Sequence, residues 1–527
     1  MKNVFALTNA KIYVSFSPPR VEKALVVYNG EVIYVGSNDK AERIAKLLEG
    51  RIRDLEGAIV LPGFIDAHMH VYGLGLYLSS LDLRGVKSIA ELRDKLKAYY
   101  ERNKGRSWIL GRGWDQELFA EKRWPTRWDI DDIVPDKPVY LERICGHAGL
   151  LNTYALKMLG LLDSPPHNPN FVRDERGELT GLVLEDAADY VRSQIEFREE
   201  ELEELVYNAL AYTASHGVTT VGFVSCSPRI LKVLERVRRK RRLPLRLRIY
   251  LTLDSLDYLE ALGLQRGFGD DYLKIMGVKL FVDGTLGART ARLSRPYNDD
   301  PSTRGVLVLD ESKLKKYVER IHRLGLQAAI HAIGDEAVDI VLKAYNMLGE
   351  DAGKARHRIE HASVVRPEQI KLMASLGIPI VVQPHFVITD WWVINRLGEE
   401  RASWIYPFKT MVKAGVRIAF STDAPVEPIN PWETIYAAIT RGAHEEVRLA
   451  ELTPHEKLKV SEALEAYTRG SAYALFEDGR LGCLEPGCLA DLVIVDKDPL
   501  SIEPAEIREI RVLETIVGGR TVYSSDS

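Results

Sequence analysis

Five strand-length stretches of this chain each run into a side chain that can bind a metal ion. The first is 58–61, and the others, each ending on its candidate residue, are 277–283, 327–331, 357–361 and 417–423. Helix-compatible sequence separates several of them, at 311–324, 334–349 and 366–376. Alternating strands and helices predict βα units and a parallel sheet. If such a sheet closes into a barrel, its catalytic side chains gather at the carboxyl ends of the strands.

The first stretch is followed by His68 and His70, two histidines separated by one residue. Side chains two positions apart in a strand point to the same face, so the two imidazoles would converge on one point. Taken alone, such a pair more often consists of two hydrogen-bonded histidines without a metal. Candidate ligands after four other strands, in the order a barrel requires, favour a shared metal site.

The ordered set of candidate ligands resembles the metal site of the amidohydrolase superfamily, metal-dependent hydrolases on an α/β fold, the (β/α)8 TIM-type barrel. The set consists of His68, His70, Lys279, His331, His361 and Asp423. The sequences at 61–70 (LPGFIDAHMH) and 484–496 are also typical of that superfamily. The stretches 111–115, 281–290 and 331–335 resemble the branch that includes N-substituted formamide deformylases.

The resemblance implies one or two divalent ions held by these six residues. Imidazole and carboxylate ligands favour Zn²⁺, Mn²⁺, Fe²⁺ or Ni²⁺ over Mg²⁺ and Ca²⁺, and we expect zinc. A bound metal lowers the pKa of a coordinated water and polarises the substrate carbonyl. As in relatives, Asp423 would be the catalytic base that takes the water's proton and returns it to the leaving nitrogen.

Lys279 is ambiguous as a ligand because a free ammonium group cannot bind a cation. In the family, a lysine at this position often reacts with CO₂ to form a carbamate that bridges two metal ions, and we expect this modification here. The alternative is an ammonium group that pairs with Asp283, four residues further on. That alternative would leave a single metal ion.

Several other residues are expected to contact a small-molecule substrate. They are Trp114, Arg143, His147, Asp283, Arg289, Gln383 and His385. The predicted reaction is hydrolysis of a non-peptide C–N bond in an amide, a formamide or a cyclic amide. Ester or lactone hydrolysis at the same site is the alternative. A non-catalytic barrel homologue is a third hypothesis, which the complete set of ligands disfavours.

The distribution of strand and helix patterns predicts three domains. Residues 1–60 and 480–527 are rich in strands, including a hairpin turn at Asn29-Gly30, and predict a composite β-sandwich domain from both termini. Residues 61–71 and 206–479 predict the barrel. Residues 72–205 are too long for a βα connection and predict a large insertion after the first barrel strand, a lid for the substrate. Its four tryptophans fill the core of the insertion or contact an apolar substrate.

The overall composition limits the kinds of binding partner and the cellular compartment that we expect. A net charge of −4 argues against nucleic acid or an anionic membrane as a partner. Cys145, Cys226, Cys483 and Cys488 show neither a disulfide framework nor a Cys-x-x-Cys zinc pattern. With no signal-peptide pattern and no apolar segment of spanning length, we expect a cytoplasmic protein. Assembly into a homo-oligomer is left open.

Overall fold

The computed structural model describes residues 3–164 and 166–525. The chain forms two compact units. The main unit comprises Met1–Leu74 and Ala209–Ser527, and the second unit comprises Gly75–Asn208. Among the described residues, no helix is both long and apolar enough to cross a membrane.

The main unit contains eight parallel strands that follow one another in chain order around a nearly closed barrel. Two backbone hydrogen bonds join the last strand to the first: Asp423 N donates to the His68 carbonyl, and His70 N donates to the Ala424 carbonyl, each at 2.9 Å. The predicted eight-stranded α/β barrel is therefore confirmed. Barrel strands 1 to 8 are Phe64–Met69, Val218–Cys226, Arg246–Leu251, Leu273–Phe281, Gln327–Ala332, Arg358–His361, Ile380–Val382 and Ile418–Phe420.

Helices occupy the connections between barrel strands, and Glu311–Arg323 shows why. Its N-cap, Asp310, accepts a hydrogen bond from the Lys313 amide, and its buried side chains Leu314, Val318 and Ile321 recur at helical spacing. The other α-helices of the main unit are Asn38–Leu47, Pro228–Lys240, Leu256–Ala261, Asp335–Asn346, Glu350–Lys354, Pro367–Leu376, Phe386–Thr389, Val393–Leu397, Phe408–Lys413, Pro431–Thr440, Arg448–Leu452, Val460–Glu465 and Ser471–Ala474. A π-helical turn occupies Ala466–Gly470, and 3-10 turns occupy Leu253–Ser255, Glu399–Trp404, Pro454–Glu456 and Pro504–Glu509.

Two further sheets of the main unit are built from the ends of the chain. One has the order Glu31–Gly36, Ala24–Tyr28, Val4–Thr8, Arg51–Asp54. The other has the order Arg520–Ser524, Val512–Val517, Leu492–Val495, Ile59–Pro62, Lys11–Phe16, Pro19–Glu22. The predicted hairpin is present, because Asn29 and Gly30 have φ values of 50° and 88°, both positive as a type I′ turn requires.

The expected start of the barrel near Leu61 differs from the structure. Ile59–Pro62 pairs with Lys11–Phe16 and Leu492–Val495, and barrel strand 1 starts at Phe64. Gly63 separates the two strands, and a Cβ atom there would lie 2.2 Å from the Thr219 side chain. Only a glycine allows strand 2 to approach so closely, and the chain changes sheets at this point.

A disulfide joins Cys483 to Cys488, with Cα atoms 6.1 Å apart. The sequence-based view that the four cysteines show no disulfide framework is therefore wrong for this pair. Gly487, at a φ of 95°, lies in a turn in which Cys488 N donates to the Glu485 carbonyl, and this turn brings the two thiols together. Cys145 and Cys226 are free.

The second unit contains its own sheet, in the order Phe171–Arg173, Leu179–Leu184, Ala148–Leu151, Val139–Arg143, Ile109–Trp114, Leu81–Asp82. Its helices are Ile89–Arg102, Thr153–Met158 and Glu185–Ser193, with 3-10 turns at Gln116–Leu118 and Arg127–Asp129. The helices Val71–Ser79 and Glu199–Ala214 contain the two points where the chain passes between units. Trp108 and Trp114 are buried in its core clusters, whereas Trp124 and Trp128 are partly exposed.

Candidate metal centre

The ends of barrel strands 1 and 8 bring together two histidines and an aspartate. His68 is buried within strand 1, His70 follows its end, and Asp423 lies three residues after strand 8. The Nε2 atoms of His68 and His70 lie 3.2 and 3.0 Å from Asp423 Oδ1. One ligand atom from each of the three residues lies within 4.8 Å of the others, close enough to share a metal ion.

The three remaining predicted ligands line the same cavity, which has a volume of about 350 Å³. The His361 ring lies 5.0 Å from the His68 ring and 4.5 Å from the His331 ring, measured between centroids. Lys279, on strand 4, is buried, and its Nζ lies 4.6 Å from the centre of the Phe281 ring. Residues from five barrel strands thus converge at one rim of the barrel.

Three polar atoms of this cluster are buried without a well-oriented hydrogen bond to any described residue. They are His68 Nε2, Lys279 Nζ and Asp423 Oδ1. His68 Nε2 and Asp423 Oδ1 are 3.2 Å apart but are not oriented for a hydrogen bond, and Lys279 Nζ has no hydrogen-bond partner among the described residues. Buried polar atoms are almost always hydrogen-bonded, so three such atoms that converge in one place indicate a binding site. A divalent cation fits this donor set, because neutral imidazole nitrogens and a carboxylate oxygen are its ordinary ligands.

Burial keeps the histidines in the protonation state that a metal requires. Loss of solvent, with a smaller effect from Lys279, lowers the pKa of His331 to about 3. Burial and the neighbouring His331 lower the pKa of His361 well below its usual value. Both imidazoles are therefore neutral at physiological pH and present a free lone pair.

Residues behind the ligands fix the orientation of two imidazoles. His68 Nδ1 bonds to Glu360 Oε2, and Glu360 in turn pairs with Arg358, with 2.6 Å between Nε and Oε1. His361 Nδ1 lies 2.7 Å from Gln383 Oε1. When Nδ1 of a histidine donates to an acceptor, Nε2 is left as the ligand atom.

Glu360 is a site residue that was not predicted from the sequence. It is fully buried, and burial alone raises the pKa of a carboxyl group, but Arg358 and His68 lower the pKa of Glu360 to about 2. The signal in the sequence was the alternation Arg358-x-Glu360 within a four-residue strand, which places two charged side chains on the same face.

The backbone at two ligands adopts a conformation that non-glycine residues rarely use. His361, Ala362 and Asp423 have φ values of 73°, 45° and 57°. Each such residue costs about 1–3 kcal/mol and is retained where the surrounding structure enforces it. Here the strained backbone ends strands 6 and 8 and turns the His361 and Asp423 side chains into the cavity.

A family model described as the amidohydrolase family matches residues 51–523 of this chain. The chain belongs to the amidohydrolase family. The match covers the barrel strands and every residue of the centre described above.

Three other proteins are similar to this chain over nearly its whole length. Protein LONG AFTER FAR-RED 3 of Arabidopsis thaliana is 33% identical over 545 residues, covering 98% of this chain and 91% of that protein. N-substituted formamide deformylase of Arthrobacter pascens is 27% identical over 535 residues, covering 98% of each chain. The crystal structure of an uncharacterized metal-dependent hydrolase from Pyrococcus horikoshii OT3 has a TM-score of 0.85 and 42% identity, covering 95% of this chain and 99% of that one.

These findings confirm the resemblance to the branch that includes N-substituted formamide deformylases. The protein is accordingly an enzyme of the amidohydrolase class, hydrolases that act on carbon–nitrogen bonds other than peptide bonds.

In this amidohydrolase, Asp283 holds two loops at the rim together. Its carboxylate accepts backbone N–H groups from Ile333 and Gly334, on the loop after strand 5, and from Arg292, at 2.8 to 3.0 Å. Burial raises the pKa of Asp283 to about 7 despite these three donors. His331 Nε2 lies 3.0 Å from the Gly284 carbonyl and 3.5 Å from Asp283 Oδ1. The alternative pair between Lys279 and Asp283 is not formed, because Lys279 Nζ makes no hydrogen bond to a described residue.

The other substrate-contact candidates of the main unit lie behind the cavity wall or at the surface. Gln383 bonds to His361 as described, and its Nε2 donates to Ser421 Oγ at 2.8 Å. His385 Nδ1 bonds to Glu427. Arg289 pairs with Asp299 at 2.8 Å, with both side chains partly exposed. Roles in substrate binding stay predictions for these residues.

The candidates in the second unit also have partners there. Trp114 is fully buried and its indole N–H donates to the Leu141 carbonyl at 2.8 Å. Arg143 donates to Asp115 and Gln116 at 2.8 and 2.7 Å. His147 is 68% exposed and lies 3.0 Å from Glu185. Their substrate roles likewise stay predictions.

The rest of the cavity wall is mostly apolar. Its apolar side chains are Phe281, Leu286, Ile333, Phe386 and Val426, and its other polar side chains are Thr285, Ser363, Asp390 and Tyr406. Sequence reasoning missed Asp390 and Tyr406, because both lie in the long segment between strands 7 and 8, away from any strand end.

Proposed function

We propose that this amidohydrolase cleaves an amide-type C–N bond in a small molecule, an amide, a formamide or a cyclic amide, with a divalent metal ion. The observation that carries the proposal is the convergence of unpaired His68, Lys279 and Asp423 atoms in one rim cavity. The relative named as an N-substituted formamide deformylase supports this choice of bond. The donor set favours zinc, at one or two positions.

Different residues of the site would have different roles in hydrolysis. His68, His70, His331, His361 and Asp423 would hold the metal, which when bound supplies activation of water and polarisation of the substrate carbonyl. Asp423 accepts a proton from the attacking water as its oxygen bonds to the carbonyl carbon. The C–N bond then breaks, and Asp423 returns the proton to the leaving nitrogen. The apolar wall excludes bulk water from the cavity.

For Lys279, we propose conversion to a carbamate. Burial lowers the pKa of Lys279 to about 8, so a substantial fraction of the amine is neutral at physiological pH. The neutral Nζ attacks CO₂, forms an N–C bond and releases one proton. The resulting carbamate would give Lys279 an anionic oxygen ligand in place of an amine, and so would allow the site to hold a second metal ion. With the ammonium retained, a single metal ion would remain.

Metal analysis combined with a substrate panel tests the proposed function. Protein loaded with zinc should hydrolyse at least one member of a panel of N-substituted formamides, amides and cyclic amides. Matched esters and lactones in the same panel identify the alternative acyl chemistry. A metal-free preparation with full activity would contradict the proposal.

The Lys279→Ala variant tests the carbamate separately. We expect wild-type protein to bind two zinc ions per chain in the presence of bicarbonate and the variant to bind one. Equal zinc content in the two proteins, with a bare Nζ in a crystal structure of the zinc-loaded wild type, would instead indicate a single-metal site.

A further inference from the structure

Asp390 is the one carboxylate, apart from Asp423, among the described residues that line the cavity. It follows the one-turn helix Phe386–Thr389 and is half-buried. The side chains around it in the cavity wall are mostly apolar, including Phe386 and Val426. A carboxylate placed in an apolar wall is unfavourable for folding unless a partner binds it.

Two structural links hold Asp390 close to the metal centre. Asp390 N donates to the Phe386 carbonyl at 2.8 Å, and the Phe386 ring lies 6.5 Å from the His361 ring, measured between centroids. Tyr406 donates its hydroxyl to Asp390 Oδ2 at 2.5 Å, and its backbone N donates to the Ser363 carbonyl, two residues after His361. Asp390 is therefore fixed one helical turn from Phe386, whose ring faces the candidate ligand His361.

The charge of Asp390 is not neutralised by another side chain. Tyr406 is the one described residue that donates a hydrogen bond to its carboxylate, and it occupies Oδ2 alone. Arg396 lies close enough to lower the pKa of Asp390, but its guanidinium group is engaged by Asp299 at 2.6 Å and by the Gly287 carbonyl at 3.0 Å. Glu427 lies nearby and adds further negative charge. Oδ1 thus remains available to a ligand.

The cavity wall offers no matching site for an anionic substrate. Lys279 is the one cationic side chain other than histidine among the described lining residues, and it belongs to the metal centre. A substrate carboxylate is usually recognised by arginine, which is missing from the described wall. The remaining lining side chains are mostly apolar, and they suit a substrate that has a hydrocarbon chain between two polar ends.

We propose that Asp390, oriented by Tyr406, determines specificity by binding a protonated amine on the substrate. The inference rests on the proposed function, which supplies the scissile amide at the metal centre. The substrate class is then an amide or formamide of a diamine, with the amide at the metal and the second nitrogen, as ammonium, at Asp390.

Pairs of synthetic probes test the role of Asp390. Each pair consists of a monoformylated linear diamine of two to six carbons and the neutral formamide in which a methyl group replaces the ammonium group. For the best chain length, we expect the zinc-loaded full chain to show a kcat/KM at least about tenfold higher for the cationic member, the size of a charge-assisted hydrogen bond. Calorimetry on the same protein should show the same preference in Kd.

Variants separate recognition at Asp390 from general damage. Asp390→Asn should abolish the preference, so that the cationic and neutral members of each pair have the same kcat/KM and Kd on the variant, at unchanged zinc content. Tyr406→Phe should reduce the preference in the same direction. Asp257→Asn, which removes an exposed partner of Arg320, is the matched control and should change nothing.

Failure of this inference and failure of the proposed function can be told apart. If no chain length shows a cationic preference in calorimetry, or if Asp390→Asn retains it, the role of Asp390 is contradicted. If the preference is present in Kd but no probe is hydrolysed by zinc-loaded protein, Asp390 recognition stands and formamide hydrolysis fails.

Discussion

At the scale of single residues, Asp423 is proposed to act both as a metal ligand and as the catalytic base. Its Oδ1 faces His68 and His70, and its backbone N closes the barrel. If Asp423 has only a structural role, its replacement should lower the stability of the protein and leave kcat unchanged. If Asp423 is catalytic, its replacement should lower kcat.

The Asp423→Asn variant separates these roles. We expect it to retain metal but to hydrolyse substrate at least about a hundredfold more slowly, because the amide cannot accept the proton of the attacking water. Metal content, kcat and melting temperature are measured on one sample. A destabilised variant with full turnover would show that Asp423 is only a structural cap.

The carboxyl group of Asp390 predicts a pH-dependent effect on stability. Burial, opposed by the Tyr406 hydrogen bond, raises the pKa of Asp390 to about 6 in the folded protein from 3.8. A raised pKa stabilises the folded state below the unfolded value and loses that contribution as pH rises through 6. Asp390→Asn cannot titrate, so it should be more stable than wild type at pH 8, by up to about 3 kcal/mol, and should lose most of this advantage at pH 4.

Urea unfolding at the two pH values measures this difference. Asp257→Asn serves again as the matched control, since its exposed carboxylate should affect stability little at either pH. An Asp390→Asn variant that is less stable than wild type at pH 8 would show that the carboxylate has a favourable partner in the folded protein.

At the scale of elements, barrel strand 6 carries a buried ion pair directly before the proposed ligand His361. Arg358 and Glu360 are fully buried, and the Arg358 guanidinium lies 4.1 Å from the centre of the Tyr250 ring. Arg358 also donates to the Ala67 carbonyl at 3.0 Å, on strand 1. The pair therefore connects strands 1 and 6 beneath the cavity and holds His68 in place.

Removal of one partner of this pair should be far more damaging than removal of both. Arg358→Met leaves Glu360 as a buried anion and should destabilise the protein by about 3–5 kcal/mol. The double variant Arg358→Met with Glu360→Gln should recover most of that loss. The free energy of unfolding from urea titrations tests both, and a single variant within about 1 kcal/mol of wild type would contradict the account.

The barrel and the convergence of the candidate ligands were predictable from the sequence because each candidate lies within three residues of the end of a barrel strand. His68, His331 and Asp423 follow apolar runs whose spacing identifies a parallel sheet. Glu360 was not predictable, because its partner His68 lies 292 positions away and nothing local marks the contact. Asp390 follows a one-turn helix with no periodic pattern. The Cys483–Cys488 pair depends on a turn that spacing alone does not reveal.

At the scale of the whole molecule, a metal that binds only the folded state should stabilise the chain. With free zinc at about a hundred times its dissociation constant, the expected gain is about 2.7 kcal/mol, which a chelator reverses. His70→Ala removes a ligand and should lose the increase in melting temperature. His455→Ala, which removes an exposed histidine outside the site, should keep it. An equal increase in both variants would point to zinc bound elsewhere.

The hydrogen-bonded junction between barrel strands 1 and 8 joins parts of the chain that are synthesised at very different times. Asp66 and Thr422, hydrogen-bonded neighbours at this junction, are 356 positions apart. A ribosome that has just released the first strand exposes His68 and His70 long before Asp423 exists. For most of its translation, the nascent chain therefore contains at most half of the proposed metal-binding residues. Stable binding of the ion requires the last fifth of the polypeptide. A product that terminates before strand 8 should emerge without metal, however much zinc the cell contains.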